Sequence, residues 1–344
     1  MIRILLTAAC LIQLASAQLP LAKLESAVES GEFKKISSVV VLRQGKPVYE
    51  RYFEGDASTL RDTRSATKTI TSALVGIAIR EGKLSLDSRI FGLLPARAAR
   101  VQNPDPRKAR ITVEDFLTMS SCLECDDWND ASRGNEERMY IVEDWAQFIL
   151  DLPVRGRMRL GEKRVPPPHG RDFSYCTGGV FVLSEALAAA TRARTDRYAK
   201  DKLFAPLAIG EAEWVFSPLD VPQTGGGLRL STLSLARIAQ LYLNGGEWNG
   251  VRILDRSWVE ASTTPHARID DQREYGYLWW LVPWRSGGKT FASYCMMGNG
   301  GNKVCAIPSL DAVAAITSTN YNTRGMHEQT DRILTEFIIP ALAR

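Results

Sequence analysis

The chain has 344 residues, of which 45% are hydrophobic and 24% are charged, and its formal net charge is +4. These values are typical of a globular protein with enough chain for a large core. Its Lys and Arg residues are scattered without a block of like charge, which argues against a nucleic-acid-binding surface.

The first residues predict an export signal. Arg3 precedes the apolar run ILLTAACLIQLASA, which is too short to span a bilayer and ends in small residues, so we expect cleavage after Ala17. A lipoprotein signal at Cys10 is the weaker alternative, because it leaves too little apolar chain ahead of the cysteine. No later segment reaches the ~18 apolar residues of a spanning helix. We therefore predict a signal peptide over 1–17 and a periplasmic or secreted hydrolase domain over 18–344.

The first two thirds of the mature chain predict a mixture of strands and helices. SSVVVLRQGKPVYERYFEG is a β-hairpin around a turn at 44–47. A helix follows that Ser65 opens and that is apolar on most faces. Residues 86–215 are irregular, with helical segments such as GGVFVLSEALAAATRA. From residue 224, GGGLRLSTLSLARIAQLYLNGGEWNG predicts a capped amphipathic helix that is stopped by a glycine pair.

The last third predicts successive antiparallel strands and a closing helix. The strands are YGYLWWLVP, TFASYCMMG, KVCAIPS and AVAAITSTNYN, and the helix covers about 325–342. Because strands lie at both chain ends, the predicted fold is α+β: one antiparallel sheet built from both ends, flanked by helices, with a mostly helical inserted lobe. We place the α/β lobe at about 18–85 and 216–344, and the helical lobe at about 86–215.

The signatures of histidine-dependent and metal-dependent hydrolysis are missing from the sequence. There is no G-x-S-x-G elbow, and the three histidines lie in unrelated contexts. H-E-x-x-H is also absent. We therefore predict neither a metal site nor a cofactor.

Ser65 and Lys68 form an S-x-x-K motif at the predicted helix start. Residues at i and i+3 share a helix face, and the helix dipole favours negative charge at this end. If burial lowers the pKa of Lys68, its neutral amine can take the proton of the serine hydroxyl. The motif alone is weak evidence, because the same residues also fit a helix cap and a solvent-exposed lysine.

Two further motifs follow at intervals of about 110 and 120 residues. Tyr175 precedes a Gly-Gly helix entry in RDFSYCTGGVFVLSEAL, and YCMMGNGGNKVCAIP has a glycine-rich turn between two strands. In this order the three motifs resemble the superfamily of serine β-lactamases and penicillin-binding proteins. The resemblance is closest to its class C-like branch of family VIII esterases and 6-aminohexanoate-dimer hydrolases, and it covers nearly the whole mature chain.

The resemblance implies a role for each matching residue of the first two motifs. Ser65 would be the nucleophile, Lys68 its base, and Tyr175 the group that moves a proton between the serine and the leaving group. Thr177 stands where the Y-x-N motif has Asn. Its hydroxyl can still hydrogen-bond to Lys68 or to substrate, although it has less reach.

The third motif of the superfamily, K/H-T/S-G, aligns with Met296-Met297-Gly298. Two methionines cannot hold the carboxylate of a β-lactam antibiotic, so the departure favours esters or small amides as substrates. The other task of the strand, presenting a backbone N–H to the oxyanion, needs no side chain. We predict that the N–H groups of Ser65 and Asn299 form the oxyanion hole, and that Thr177 and residues 296–298 contact the substrate.

These residues predict an exported serine hydrolase that cleaves small-molecule esters or amides through an acyl-enzyme on Ser65. Two alternatives remain open: a β-lactamase or D-amino-acid peptidase acting on cell-wall peptides, and an inactive relative that binds cell-wall ligands. Intact Ser65, Lys68 and Tyr175 argue against the inactive relative. Trp279 and Trp280 suggest an apolar wall, although core packing is the more common role of such residues.

Five cysteines would remain after cleavage, and an odd number leaves at least one unpaired within the monomer. The C-x-x-C at 122–125 predicts structural thiols or one local disulfide rather than zinc. Cys295 and Cys305 lie symmetrically about Gly300, so a three-residue loop at 299–301 would place them opposite each other, within reach of a disulfide. We slightly favour free thiols or an offset register, because cross-strand geometry is often strained.

Overall fold

The structure is a computed structural model that describes residues 21–156 and 167–343, so the predicted signal peptide lies outside the described residues. The strands are β1 (Ile36–Arg43), β2 (Lys46–Tyr52), β3 (Arg61–Asp62), β4 (Glu213–Trp214), β5 (Leu228–Leu230), β6 (Glu247–Trp248), β7 (Val251–Arg252), β8 (Ala267–Arg268), β9 (Glu274–Tyr275), β10 (Trp280–Ser286), β11 (Lys289–Gly298), β12 (Asn302–Ile307) and β13 (Ala312–Ser318).

The α-helices are α1 (21–29), α2 (Thr67–Arg80), α3 (Ile90–Leu93), α4 (Pro95–Ala98), α5 (Val113–Leu117), α6 (Glu136–Met139), α7 (Trp145–Asp151), α8 (Thr177–Thr191), α9 (Thr195–Ala199), α10 (Thr232–Leu243), α11 (Arg256–Ser262), α12 (Met326–Arg332) and α13 (Ile339–Leu342). Short 3-10 turns are Arg64–Ala66, Lys108–Arg110 and Pro308–Leu310, and π-helical segments are Lys200–Phe204 and Ile333–Ile338.

An eight-stranded sheet joins the two ends of the chain. Its strand order is β2-β1-β13-β12-β11-β10-β9-β8. β1 lies antiparallel to β13, with Val39 opposite Ile316, and the other neighbours in this sheet are also antiparallel. β12 and β13 are buried along their whole length, because helices cover both faces of the sheet there. The predicted α+β class and the sheet built from both chain ends are confirmed, whereas the lobe boundaries stay a prediction.

Local turn chemistry explains two of the predicted elements. The hairpin turn is tighter than the predicted 44–47, because Gln44 and Gly45 alone connect β1 to β2 with φ of 52° and 71°, as a type I′ turn requires. The side chain of Ser231 accepts a hydrogen bond from Ser234 N–H and caps α10, which ends before Gly245. The predicted capped helix is therefore confirmed.

The tertiary structure breaks the strand that we predicted in YGYLWWLVP. Only the ends of this segment are extended, in β9 and β10, while residues 276–279 turn. A Cβ on Gly276 would lie 2.0 Å from Ser262 O, and Leu278 adopts a φ of 60°. The chain is thus bent where it passes the end of α11, and this close approach depends on a residue that is distant in the sequence.

Two disulfides correct the cysteine predictions. Cys295 and Cys305 are directly opposite in β11 and β12 and are bonded, so the preference for free thiols was wrong. Gly298 pairs with Asn302, which is the register of the three-residue loop. Cys125 is bonded to Cys176, 51 residues away, so there is no local C-x-x-C disulfide. Cys122 is free and exposed.

Over 21–156 and 167–343, no helix is both long enough and apolar enough to cross a bilayer.

Candidate active site

Ser65 lies at the entrance of the buried helix α2, against the end of strand β11. It belongs to the 3-10 turn Arg64–Ala66, one turn ahead of the α-helix that we predicted it to open. A Cβ on Gly298 would lie 1.8 Å from Thr63 O and 3.1 Å from Ala66 N. Only glycine therefore lets the strand end approach the serine turn this closely. Asn299 follows directly, so the predicted oxyanion donor belongs to the chain segment beside this turn.

Lys68 is a buried charged residue beside Ser65, with 1% of its surface exposed. Its Nζ donates to Ser65 Oγ at 2.9 Å, to Thr177 Oγ1 at 2.9 Å and to Gly225 O at 2.5 Å. An ammonium has three N–H groups, and all three are used. Burial lowers the pKa of Lys68 to about 8, although the negative charges of Glu136 and Asp127 oppose the shift. A neutral amine is therefore available near neutral pH.

Tyr175 is buried beside the same serine and immediately precedes α8. Burial raises the pKa of its hydroxyl well above the usual value, while the hydrogen bond with the Ser65 side chain opposes this shift. Lys68 Nζ lies 4.9 Å from the centre of the Tyr175 ring. The disulfide between Cys176 and Cys125 links the chain next to Tyr175 to the loop that precedes α6. The structure thus gathers the three predicted catalytic side chains.

Thr177 holds the position that Asn occupies in the superfamily motif, and it makes the predicted hydrogen bond to Lys68. Its N–H also donates to Asp127 Oδ2 at 2.6 Å. Gly225 completes this group, because a Cβ on it would lie 2.7 Å from Thr177 Cγ2. The glycine run before α10 therefore supplies a carbonyl to Lys68 as well as an entry to the helix.

Sequence reasoning missed Asp127, Glu136 and Gly225. Burial, followed by the charge of Glu136, raises the pKa of Asp127 to about 7, against the opposing effects of Lys68 and Thr177. Asp127 lies in LTMSSCLECDDWND, which we interpreted only as a polar loop. The sequence offered one signal, the acidic pair Asp126-Asp127 between the C-x-x-C and Trp128. Such a pair has no periodicity from which its place in the fold could be predicted.

The third motif contributes backbone rather than methionine side chains. Met296 is completely buried in the hydrophobic core, and Met297 lines a separate cavity of about 760 Å³ with Trp284, His327 and Asp331. The last residue of β11 that pairs with β10 is Cys295, opposite Trp280. Residues 296–298 therefore extend beyond β10, on the edge of β11 that faces away from β12.

Aromatic side chains form one wall beside Tyr175. The ring of Trp128 stacks on Tyr175 with centroids 5.3 Å apart and planes 7° apart, and 56% of Trp128 is exposed. The ring centroids of Trp280 and Tyr175 are 5.7 Å apart, and those of Phe173 and Trp128 are also 5.7 Å apart. Trp279 instead packs edge-on against Tyr242 in the core. The two adjacent tryptophans of the sequence therefore have different roles.

No group of three or more His, Cys, Asp or Glu in 21–156 and 167–343 is placed to hold an ion.

Comparison with known families identifies this arrangement. The family model described as Beta-lactamase matches residues 34–336 of the chain. The protein belongs to the β-lactamase family. This confirms the resemblance drawn from the three motifs, and the protein is a serine hydrolase.

Individual relatives are distant in sequence. The chain is 24% identical over 324 residues to the 6-aminohexanoate-dimer hydrolase of Paenarthrobacter ureafaciens, which covers 86% of this chain and 76% of that protein. The solved structure of EstCE1, a hydrolase with promiscuous acyltransferase activity, matches with a TM-score of 0.72 at 13% identity, covering 97% of this chain and all of that one. The penicillin-binding protein of Bacillus halodurans matches with a TM-score of 0.67 at 15% identity, over 88% and 97% of the two chains. At these identities the structural matches establish the fold alone.

Proposed function

We propose that this protein hydrolyses small esters with apolar groups through an acyl-enzyme on Ser65. The observation that supports this most directly is the contact between Lys68 and Ser65. The lysine is buried, its Nζ lies 2.9 Å from Ser65 Oγ, and burial lowers its pKa to about 8. A positioned base within hydrogen-bonding distance of a hydroxyl is what activation of a serine nucleophile needs.

In the proposed acylation step, neutral Lys68 takes the proton of Ser65 as Oγ attacks the ester carbonyl. The carbonyl oxygen becomes an oxyanion, which the N–H groups of Ser65 and Asn299 stabilise. The tetrahedral intermediate then expels the alcohol, which takes its proton from Tyr175, and Lys68 returns a proton to Tyr175. Deacylation runs these steps in reverse with water in place of the alcohol: water gives its proton to Tyr175 as it attacks the acyl carbonyl, Tyr175 passes a proton to Lys68, and Lys68 returns a proton to Ser65 as the acid leaves.

The substrate class follows from two features of the site. Trp128, which is 56% exposed, offers an apolar surface next to Tyr175 and is backed by the buried Trp280 and the half-buried Phe173. The third motif supplies no cation to hold a carboxylate, since Met296 is in the core. Both features favour uncharged esters, or small amides, over β-lactams and over peptides that end in a carboxylate. The relative from Paenarthrobacter ureafaciens hydrolyses a 6-aminohexanoate dimer, as its name states.

We also propose that the protein is exported after cleavage behind Ala17. The two disulfides support this proposal, because such bonds persist mainly in oxidising compartments. Expression of the full chain in a bacterium, followed by fractionation and N-terminal sequencing, tests it. A periplasmic or secreted product that begins at Gln18 is expected, and an uncleaved cytoplasmic product would contradict it.

The nucleophile is tested by covalent labelling with a fluorophosphonate and mass spectrometry. Labelling is expected on Ser65, and S65A should abolish both labelling and turnover without unfolding the protein. S58A, at an exposed serine, is the matched control and should label normally. K68A and Y175F should each lose about 10²–10⁴ in rate, the usual contribution of a positioned acid or base. Labelling of a different residue would overturn the assignment.

The substrate class is tested with p-nitrophenyl acetate and butyrate, nitrocefin, and D-alanyl peptides. We expect kcat/KM for the esters to exceed that for nitrocefin by at least about tenfold, or about 1.4 kcal/mol of barrier. Equal or reversed values would favour a β-lactamase, and preferred cleavage of the peptides would favour a D-amino-acid peptidase. Ligand binding without labelling or turnover would indicate an inactive relative.

A further inference from the structure

Two carboxyl groups lie behind Lys68, and the mechanism above does not use them. Asp127 is in the loop before α6, and Glu136 is the first residue of that helix. Asp127 Oδ1 accepts the N–H of Glu136 at 3.0 Å, and Oδ2 accepts the N–H of Thr177 at 2.6 Å. The N–H of Asp127 donates to Tyr175 O at 2.9 Å. Asp127 is therefore fixed to the segment that carries Tyr175 and Thr177.

Thr177 connects Asp127 to Lys68. Lys68 Nζ donates to Thr177 Oγ1 at 2.9 Å, so one lone pair of this oxygen is used. Asp127 Oδ2 accepts the backbone N–H of the same residue at 2.6 Å. Thr177 therefore bonds to Lys68 through its hydroxyl and to Asp127 through its backbone N–H, which holds the carboxylate close to the lysine.

The charges around Asp127 come from three neighbouring segments. Lys68 faces it from α2, and Glu136 faces it from α6. The hydroxyl of Tyr175 interacts with it from the segment before α8, and the hydroxyl of Tyr140 interacts with it from the end of α6. Burial and Glu136 raise the pKa of Asp127 to about 7, whereas Lys68 lowers it. In return, Glu136 and Asp127 favour the ammonium form of Lys68. Without the two carboxyl groups, burial would lower the pKa of Lys68 further and make it a weaker base.

We propose that Asp127, acting through Thr177 and together with Glu136, is the counter-charge that stabilises the ammonium formed when Lys68 takes the proton of Ser65. This proposal rests on the proposed function of Ser65 and Lys68. Asp127 is a positioning residue, since it acts on Lys68 and does not touch Ser65 itself. Its part resembles that of the aspartate in a Ser-His-Asp triad, which orients the base and stabilises its protonated form.

The rate of Ser65 labelling by a fluorophosphonate as a function of pH tests this directly, because it needs no knowledge of the natural substrate. D127N should label more slowly at its plateau, by about tenfold, because the ammonium is less stable in the transition state. The midpoint on the acid side should also move to lower pH by about one unit, the lower end of the effect of a nearby opposite charge. E136Q should lower the same midpoint.

The two effects of D127N separate positioning from a merely structural role. A weaker base has a lower pKa and reacts more slowly, so both changes must occur together. D126N is the matched control: Asp126 accepts the N–H of Trp128 at 3.0 Å within its own loop and has no contact with Thr177, so its profile should match the wild type. A D127N profile with an unchanged midpoint, whatever its plateau, would overturn the proposal.

The amide side chain of D127N has one oxygen, so either the N–H of Glu136 or that of Thr177 loses its acceptor. The folding of D127N is therefore checked by thermal melting. T177V and T177S avoid this difficulty, because both keep the backbone bonds to Asp127. T177V removes the hydroxyl that accepts from Lys68 on the residue bound to Asp127, and it should slow labelling and lower the midpoint as D127N does. T177S keeps the hydroxyl and should stay within about threefold of wild type. A T177V profile that matches T177S would overturn the proposal independently of D127N.

The same assay separates this proposal from the proposed function. If the wild type labels on Ser65 and the variants keep its midpoint, Ser65 remains the nucleophile and only the role of Asp127 is rejected. If the wild type does not label on Ser65, both proposals fall.

Discussion

Replacing Trp128 with alanine tests the apolar wall of the proposed ester site. A tryptophan presents up to about 250 Å², and with 56% exposed about 140 Å² of Trp128 remains available. If an apolar substrate group covers about half of that area, its contact is worth about 1.8 kcal/mol at ~25 cal/mol per Å². W128A should therefore lower kcat/KM for such esters by about 20-fold.

The assay for this prediction is a series of p-nitrophenyl esters from acetyl to hexanoyl, together with phenyl acetate and ethyl acetate. The loss should grow with the apolar group that Trp128 contacts, and it should fall mainly on KM, because the contact is made before and during reaction. W128F keeps a ring against Tyr175 and should lose less. V251A is the control, since Val251 is 57% exposed on β7. An equal loss for every ester would refute the reasoning and leave Trp128 as a support for Tyr175.

Three further predictions concern the base, the cysteines and the strand beside the serine. The value of kcat/KM should rise as pH rises through about 8, because burial lowers the pKa of Lys68 to that value and only its neutral form accepts a proton; a flat profile between about pH 6 and 10 would contradict this. Denatured, unreduced protein that begins at Gln18 should show one reactive thiol, Cys122, by thiol counting, whereas three or five would remove one or both disulfides. G298A should abolish Ser65 labelling, because its Cβ would lie 1.8 Å from Thr63 O, whereas G92A, with its nearest contact at 3.7 Å, should label as wild type does.

The sequence alone was sufficient for features that depend on neighbouring residues. The hairpin of β1 and β2 and the capped helix α10 were predicted from turn residues and periodicity, and both are present. The order of Ser65-Lys68, Tyr175 and the glycine strand was sufficient for the family, which the family match confirms. The turn and cap signals are local because turn conformations, caps and helix faces are set by residues a few positions apart.

The tertiary structure decided which distant side chains surround the serine. Asp127 and Trp128 occupy a loop without regular structure. They lie beside Lys68 and Tyr175 because Cys125 is bonded to Cys176 and Asp127 hydrogen-bonds to the backbone of Tyr175 and Thr177. Whether Lys68 is a solvated surface lysine or a buried base was equally undetermined by its spacing from Ser65. Its lowered pKa arises from burial by α8 and the glycine run before α10. Such long-range packing leaves no periodic trace in the sequence, and it sets the charge and shape of this site.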